Sequence, residues 1–379
     1  MDASVVVATY NQQERLRLVL RGLAGQSVPA SRFEVIVAMD GCTDGTQELV
    51  QGFDPPYELR AVALPQNGGA NPARNAGAAQ ARAPLLAFLD GDALPHPRWL
   101  EHHLAAMDSG APCVQGGAEY SLAQTEYLRD PQRGTPMDEV TPSVVRDYIR
   151  LHRDEMVVTE AMVADEFETI EQRTFPAGYP FPTLKEIQDQ TRVLSEQRPG
   201  SPIGWIGLYP HNAMLPRQAF EDVGGFAAEM RFHEGWELGY RLQRRAPACR
   251  FVAEACTYHL YHYHELSDAA RAHEEQRLRR RLLNHMAIKH GDPRLLLVQL
   301  WQASIWPDPL VPQELRIPTL VELHDRYVEA DSGLLQACET LLRRHPLWGE
   351  GSGTWDFGQL PGAPASPPGV VRAVTPRTT

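Results

Sequence analysis

Over the first ninety residues the apolar positions switch repeatedly between two spacings. "SVVVATY" (4–10) is a short β-branched run, the mark of a strand. "QQERLRLVLRGLAGQ" (12–26) then places Leu16, Val19, Leu20 and Leu23 at helical spacing. The exchange repeats with a strand at 33–40 ("FEVIVAMD") and a short helix at 44–53 capped by Asp44. An alternating strand at 57–64, an Ala-rich helix at 71–83 with Pro72 in its first turn, and a strand at 84–90 ("PLLAFLD") follow. Strand–helix alternation across short connections predicts an α/β fold, Rossmann-like, with a mostly parallel central sheet flanked by helices. Ligands of such sheets sit beyond the carboxyl ends of the strands. Tyr10, Asp40, Asp90 and Asp92 all fall at such ends.

Past residue 119 the pattern loosens. Residues 144–170 read as helical, and "FPAGYPFP" (175–182) as a loop that either closes over a ligand or packs statically. Residues 203–265 regain order, 268–290 read as one helix, and helical stretches continue to about 345. The Gly/Pro-rich segment 346–379 reads as disordered.

Composition narrows the classes. The 379 residues are 43% hydrophobic and 22% charged, which suits one large globular domain or two modest ones. A balance of 36 basic against 48 acidic residues, net −12, argues against nucleic-acid binding through a broad basic surface. The five scattered cysteines have no metal-ligand spacing and read as the reduced thiols of a cytoplasmic protein. The sequence shows neither a signal peptide nor a run of about 18 apolar residues. The basic stretch "RLRRRLLNHMAIKH" (277–290) either touches an anionic membrane peripherally or packs its apolar side inward.

The candidate chemistry centres on Asp90-Gly91-Asp92. Gly91 permits a sharp turn at the strand end, so the two carboxylates can address different parts of one ligand. A few oxygen ligands suit Mg²⁺ or Mn²⁺, with phosphate oxygens completing the shell. Asp40 closes the second strand, where it can accept a uracil N–H or simply build a turn. Arg74, after the glycines of "QNGGANPARNAG" (66–77), can meet a diphosphate. Glu234 and Glu237 lie three apart on one helix face, and Glu237 can instead pair with Arg241. In "TYHLYHYHE" (257–265) a strand would turn His259 and His262 to opposite faces. An imidazole beside carboxylates favours Mn²⁺ over Mg²⁺. Trp236 reads equally as a stacking wall or as core. A nicotinamide-dependent oxidoreductase is excluded, because "ATYNQQ" lacks G-x-G-x-x-G after the first strand.

"VVVATYNQQERLRLVLRGLAGQ", "VAMDGCTDGT", "QNGGANPARNAGAAQA" and "LLAFLDGDALPHPRWLEHHL" resemble, in order and spacing, the successive blocks of family 2 glycosyltransferases of the GT-A fold. "NAMLPRQAFEDVGGFAAEM" (212–230) and "HEGWELGYRLQRRA" (233–246) resemble the segment before that family's acidic helix and the helix itself. The resemblance implies inverting transfer from a nucleotide-sugar donor, a uridine one, to an acceptor, with Mn²⁺ or Mg²⁺. It implies that Thr9 and Tyr10 border the base, with Asp40 on uracil. Asn67 and Arg74 would lie near the diphosphate, Asp90 and Gly91 at the ribose and metal shell. Asp92 with His259, or else His262, would hold the metal. Where the family's helix carries the aspartate that serves as base, this sequence has Gly235, which leaves Glu234 or, second, Glu237. The departure keeps a catalytically weak nucleotide-sugar-binding relative open, beside a pyrophosphorylase-like nucleotidyltransferase. On this reading residues 1–265 form the GT-A domain: 1–118 the nucleotide-sugar half, 119–210 an irregular acceptor-side insertion, 211–265 the acidic helix and metal histidine. Residues 266–345 are a helical extension.

Overall fold

The computed structural model describes residues 1–121, 158–172, 182–245, 249–260, 269–306 and 308–344. Residues 1–188 and 204–269 make one compact unit; residues 189–203 with those from 270 onward make a second.

The first unit opens with β1 (Ala3–Thr9), α1 (Gln13–Ala24), β2 (Phe33–Met39), α2 (Thr46–Gly52), β3 (Glu58–Ala63), α3 (Ala70–Ala78) and β4 (Leu85–Asp90). These are the seven elements expected from the apolar pattern. Their ends differ by a few residues because short polar groups set them. Asp44 binds the N–H groups of Thr46 and Gln13, each at 3.1 Å, so α2 begins after it rather than at it. Then come β5 (Ala93–Pro95), α4 (Trp99–Asp108), β6 (Val114–Ser121), α5 (Glu160–Asp165) and α6 (Phe167–Gln172). The backbone breaks at Glu166 between α5 and α6, so the described part of 144–170 is two short helices and not one long one. Helix α7 (Pro182–Gln197) is followed by β7 (Asn212–Pro216), α8 (Arg217–Asp222), α9 (Glu234–Gln243) and β8 (Arg250–Leu260).

The strands form one sheet in the order β3-β2-β1-β4-β7-β6-β8-β5. The pairs β3–β2, β2–β1, β1–β4 and β6–β8 are parallel; β7 runs antiparallel to both neighbours, and β5 to β8. Every residue of β1 and β2 is buried, which explains their unbroken apolar runs: helices cover both faces. Edge strand β3 is instead half-buried or exposed along its whole length. One buried polar knot ties the halves of the sheet together. Asn212 accepts from Trp99 Nε1 at 2.7 Å, meets His103 Nε2 at 2.8 Å and donates to the Ala255 carbonyl at 2.8 Å. Burial pushes the His103 pKa down to about 4, so the knot carries no charge.

The second unit holds α10 (Ala269–His290), α11 (Leu297–Ile305), α12 (Leu320–Glu329) and α13 (Ser332–Arg344). Its boundary corrects the one drawn at 265/266, because residues 189–203 pack with these helices. Gln190 accepts from Trp301 Nε1 at 2.8 Å and from the Leu320 N–H at 3.0 Å. Arg198 meets Asp325 at 3.2 Å, and Ser201 meets His324 at 2.8 Å. Of the basic stretch in α10, Leu282, Leu283, Met286 and Ala287 are buried, and so is Arg280. No described helix is long and apolar enough to cross a membrane.

Candidate active site

The ends of β1 and β4 lie side by side, since the two strands pair in parallel as far as Ala8 and Asp90. Thr9 is buried with its hydroxyl unpartnered; Tyr10 is exposed. Gly91 turns directly over Thr9. A Cβ at Gly91 would stand 2.8 Å from the Thr9 hydroxyl and 3.2 Å from the Ala8 carbonyl oxygen, so no larger residue closes this turn without displacing β1.

Asp40, at the end of β2, is 3% exposed. Its two carboxylate oxygens accept from the Gly68 and Gly69 N–H groups at 2.8 Å each. The structure thus commits Asp40 to fastening the β3–α3 loop, a use the turn reading anticipated only in kind. Asn67 on that loop is exposed.

Arg74 departs furthest from expectation. It is 3% exposed, and its guanidinium bridges two carboxylates: Asp90 at 2.7 Å and Glu234 at 3.2 Å. Burial opposes its charge, but Asp90 and Glu234 outweigh burial and raise its pKa. In this arrangement Arg74 is a tie between the end of β4 and the start of α9 rather than an open diphosphate ligand. Helix α3 reinforces the tie. Asn71 donates to the carbonyls of Ala227 (2.9 Å) and Met230 (2.6 Å), and Asn75 exchanges hydrogen bonds with the Phe226 backbone at 2.8 and 2.9 Å. "NPARN" therefore clamps the segment that leads into the acidic helix.

Helix α9 starts at Glu234, after His233 in the left-handed conformation (φ 60°). Glu234 faces Arg74 and keeps about 20% of its side chain open. Burial raises its pKa, with Asp90 adding to the rise and Arg74 opposing it. Glu237 faces the other way. It is fully buried, and both its oxygens accept from Arg241 Nε at 2.9–3.0 Å. Arg241 also donates to the carbonyls of Val223 and Gly225, which pins the "GGF" turn. That correction removes Glu237 from the reacting groups. Trp236 is likewise core: 2% exposed and stacked on His233 at 4.3 Å. Gly235 packs against backbone. A Cβ there would meet the Leu208 carbonyl oxygen at 2.2 Å and Pro210 Cδ at 2.8 Å.

Beside this tie, Asp92 Oδ2 lies 3.8 Å from His259 Nε2 and 3.3 Å from Gln12 Nε2. The β5–β8 pairing sets this proximity by placing Ala93 opposite His259. Two ligands on one divalent ion, each about 2.1 Å from it, span no more than about 4.2 Å. The carboxylate and imidazole thus fit a shared cation, with most of its shell left for phosphate and water. Among the described residues no cluster of three or more His, Cys, Asp or Glu could hold a metal. His262 and 175–181 lie outside the described residues. Three residues of the site went unread in the sequence: Gln12, Asn71 and His211. Burial pushes the His211 pKa down to about 4, and the groups whose charges bear on it are Asp90, His259, Arg74 and Asp92. The signal for Gln12 and His211 was positional: one follows β1 by three residues, the other immediately precedes β7.

The fold is shared with solved glycosyltransferases of GT-A type. Staphylococcus aureus TarS 1–349 superposes with a TM-score of 0.52, at 16% identity, over 92% of this chain and 90% of that one. The same protein in complex with UDP-GlcNAc gives 0.53 over 92% and 88%. Residues 4–159 match the model described as Glycosyl transferase family 2. Validoxylamine A glucosyltransferase of Streptomyces hygroscopicus subsp. limoneus is 31% identical over 249 residues, 63% of this chain and 47% of the relative. Glycosyltransferase AglE of Haloferax volcanii is 35% identical over 120 residues, 31% of this chain and 40% of the relative. The chain thus spans about half the length, or less, of these two relatives.

Proposed function

We propose that this protein is a metal-dependent inverting glycosyltransferase that takes a sugar from a uridine nucleotide donor and passes it to an acceptor hydroxyl. The observation that carries the reading is the Asp90–Arg74–Glu234 bridge beside the Asp92–His259 pair. It supports the reading because a carboxylate whose pKa burial raises stands near an Asp–His pair spaced to share a cation. Glu234 takes the acceptor proton as the acceptor oxygen bonds to the anomeric carbon. The bond from that carbon to the diphosphate oxygen breaks, and its electron pair leaves with the diphosphate. A divalent cation held by Asp92 and His259 would neutralise that leaving group. Arg74 orients Glu234 and balances the charge of Asp90. TarS, which shares the fold, is described in complex with UDP and with UDP-GlcNAc, which supports a uridine donor.

Gly235 favours a second reading, donor binding without turnover. Calorimetric titration of the full chain with UDP, with and without Mn²⁺, combined with donor hydrolysis, separates the two. Mn²⁺-dependent binding with turnover is expected. Saturable binding with no hydrolysis and no transfer would move the protein to the binding class, and absence of nucleotide binding would remove both.

A further inference from the structure

Two cysteines, 136 residues apart in the chain, meet where β6 and β8 begin. The two strands run parallel with Val114 opposite Arg250, and the Arg250 N–H donates to the Cys113 carbonyl at 2.8 Å. Cys113 and Cys249 each stand one residue before that pair. Neighbouring strands lie about 4.8 Å apart, so the register holds the two Cα atoms within the span of about 4.4–6.8 Å that a disulfide bridges. Facing side chains leave a sheet on the same side. Cys113 accordingly belongs to the apolar cluster around Phe88, Leu208 and Phe220, and Cys249 packs against the same cluster. Both are free thiols, Cys113 buried and Cys249 half-buried. Cys249 Sγ donates to Cys113 Sγ at 2.8 Å. Both also line a cavity that admits water-sized molecules, together with Pro112, Leu208, Gly239 and Leu242. No spacing along the chain announces this pair; the strand register makes it.

We propose that Cys113 and Cys249 are a redox-active pair, which a small hydroperoxide converts to a disulfide. One thiolate attacks a peroxide oxygen, the O–O bond breaks, and the departing hydroxide takes up a proton to become water. The neighbouring sulfur then attacks the sulfenic acid so formed, the S–O bond breaks, a second water leaves and the S–S bond closes. The thiols together lose two electrons and two protons, and the peroxide takes them up as water. Burial and the Cys113 sulfur push the Cys249 thiol well above the ordinary thiol range, so the first attack is slow near neutrality and quickens in alkali. The second step requires no encounter, because the partner sulfur is already in contact.

The test incubates the full folded chain with hydrogen peroxide in mild alkali, removes the peroxide with catalase, alkylates in denaturant with iodoacetamide and maps the peptides by mass. A cross-linked peptide joining Cys113 to Cys249, lighter than the two thiol peptides by two hydrogens, is expected, and dithiothreitol should return both thiols. The oxidised chain should melt higher than the reduced one, because the link closes a 136-residue span of the unfolded chain. Cys249→Ser should abolish both the cross-link and the peroxide-dependent rise in melting temperature. Recovery of Cys113 and Cys249 as separate alkylated or sulfonated peptides would overturn the proposal. So would cross-links to Cys42, Cys256 or Cys338 in place of this one, or an oxidised chain that melts below the reduced one. Peptide mapping of the parent before and after dithiothreitol decides even if Cys249→Ser does not fold.

Discussion

Gly235→Asp, which introduces the aspartate of the family that this helix resembles, should not raise turnover; it should damage the fold. The new Cβ would lie 2.2 Å from the Leu208 carbonyl oxygen and 2.8 Å from Pro210 Cδ. An ordinary C···O contact is about 3.3 Å, so helix α9 and the 208–210 backbone must separate by about 1 Å. Neither neighbour can swing aside, since one is main chain and the other a proline ring. Overpacking of this kind costs about 1–3 kcal/mol. The carboxylate would then be buried against a carbonyl oxygen, which adds a desolvation penalty of about 1–3 kcal/mol or more. At about 2–4 °C per kcal/mol for a domain of this size, the melting temperature should fall by roughly 5 °C or more. Gly235→Ala isolates the steric part and should fall by less. The check is a thermal scan of both variants beside Mn²⁺-dependent donor turnover per folded molecule. An aspartate variant that melts like the parent and turns over faster would refute the packing argument, and with it the assignment of the base to Glu234.

Glu234→Gln should lower turnover by about 10²–10⁴, the usual span for a lost general base. The pH–rate profile of the parent should show an acid limb above the ordinary carboxylate range, because burial raises the Glu234 pKa. The same shift has a stability consequence. The folded state binds that proton more tightly than the unfolded one, so stability from this group falls as pH rises from the unfolded pKa through the folded one. Glu234→Gln should therefore gain stability relative to the parent at neutral pH, read as melting temperature against pH; a variant less stable at pH 7 than at pH 4 relative to the parent would contradict this. Asp92→Ala should abolish Mn²⁺-dependent UDP binding with little thermal change, and unaltered Mn²⁺ dependence in calorimetry would remove Asp92 from the metal site. Asp40→Asn turns an amide N–H toward Gly68 or Gly69 and should cost about 1–3 kcal/mol through the loop. That loss should be equal for uridine and guanosine nucleotides, and a selective loss of uridine binding would return Asp40 to the base.

What the sequence made legible follows from which forces are local. β1 and β2 are covered on both faces, so their apolar runs are unbroken and easy to read. Asp90 and Asp92 stood out because two carboxylates end an otherwise apolar run. The partners of Arg74 were not legible: Asp90 is sixteen residues away but Glu234 is 160. Nothing along the chain distinguishes an arginine aimed at a diphosphate from one clamped between carboxylates. Membership of 189–203 in the second unit was hidden for the same reason, since an amphipathic helix announces a buried face but not what buries it. The missing aspartate is a different case. The sequence shows that Gly235 breaks a pattern, and only the packing shows why the pattern could be broken. The Leu208 carbonyl occupies the space a side chain would need. Glu234, one residue earlier, already stands at the helix start facing Arg74. Arg241 and Glu237 then hold that helix from its buried side. On the proposed function the base is then Glu234, one residue before the position that packing closes to a side chain.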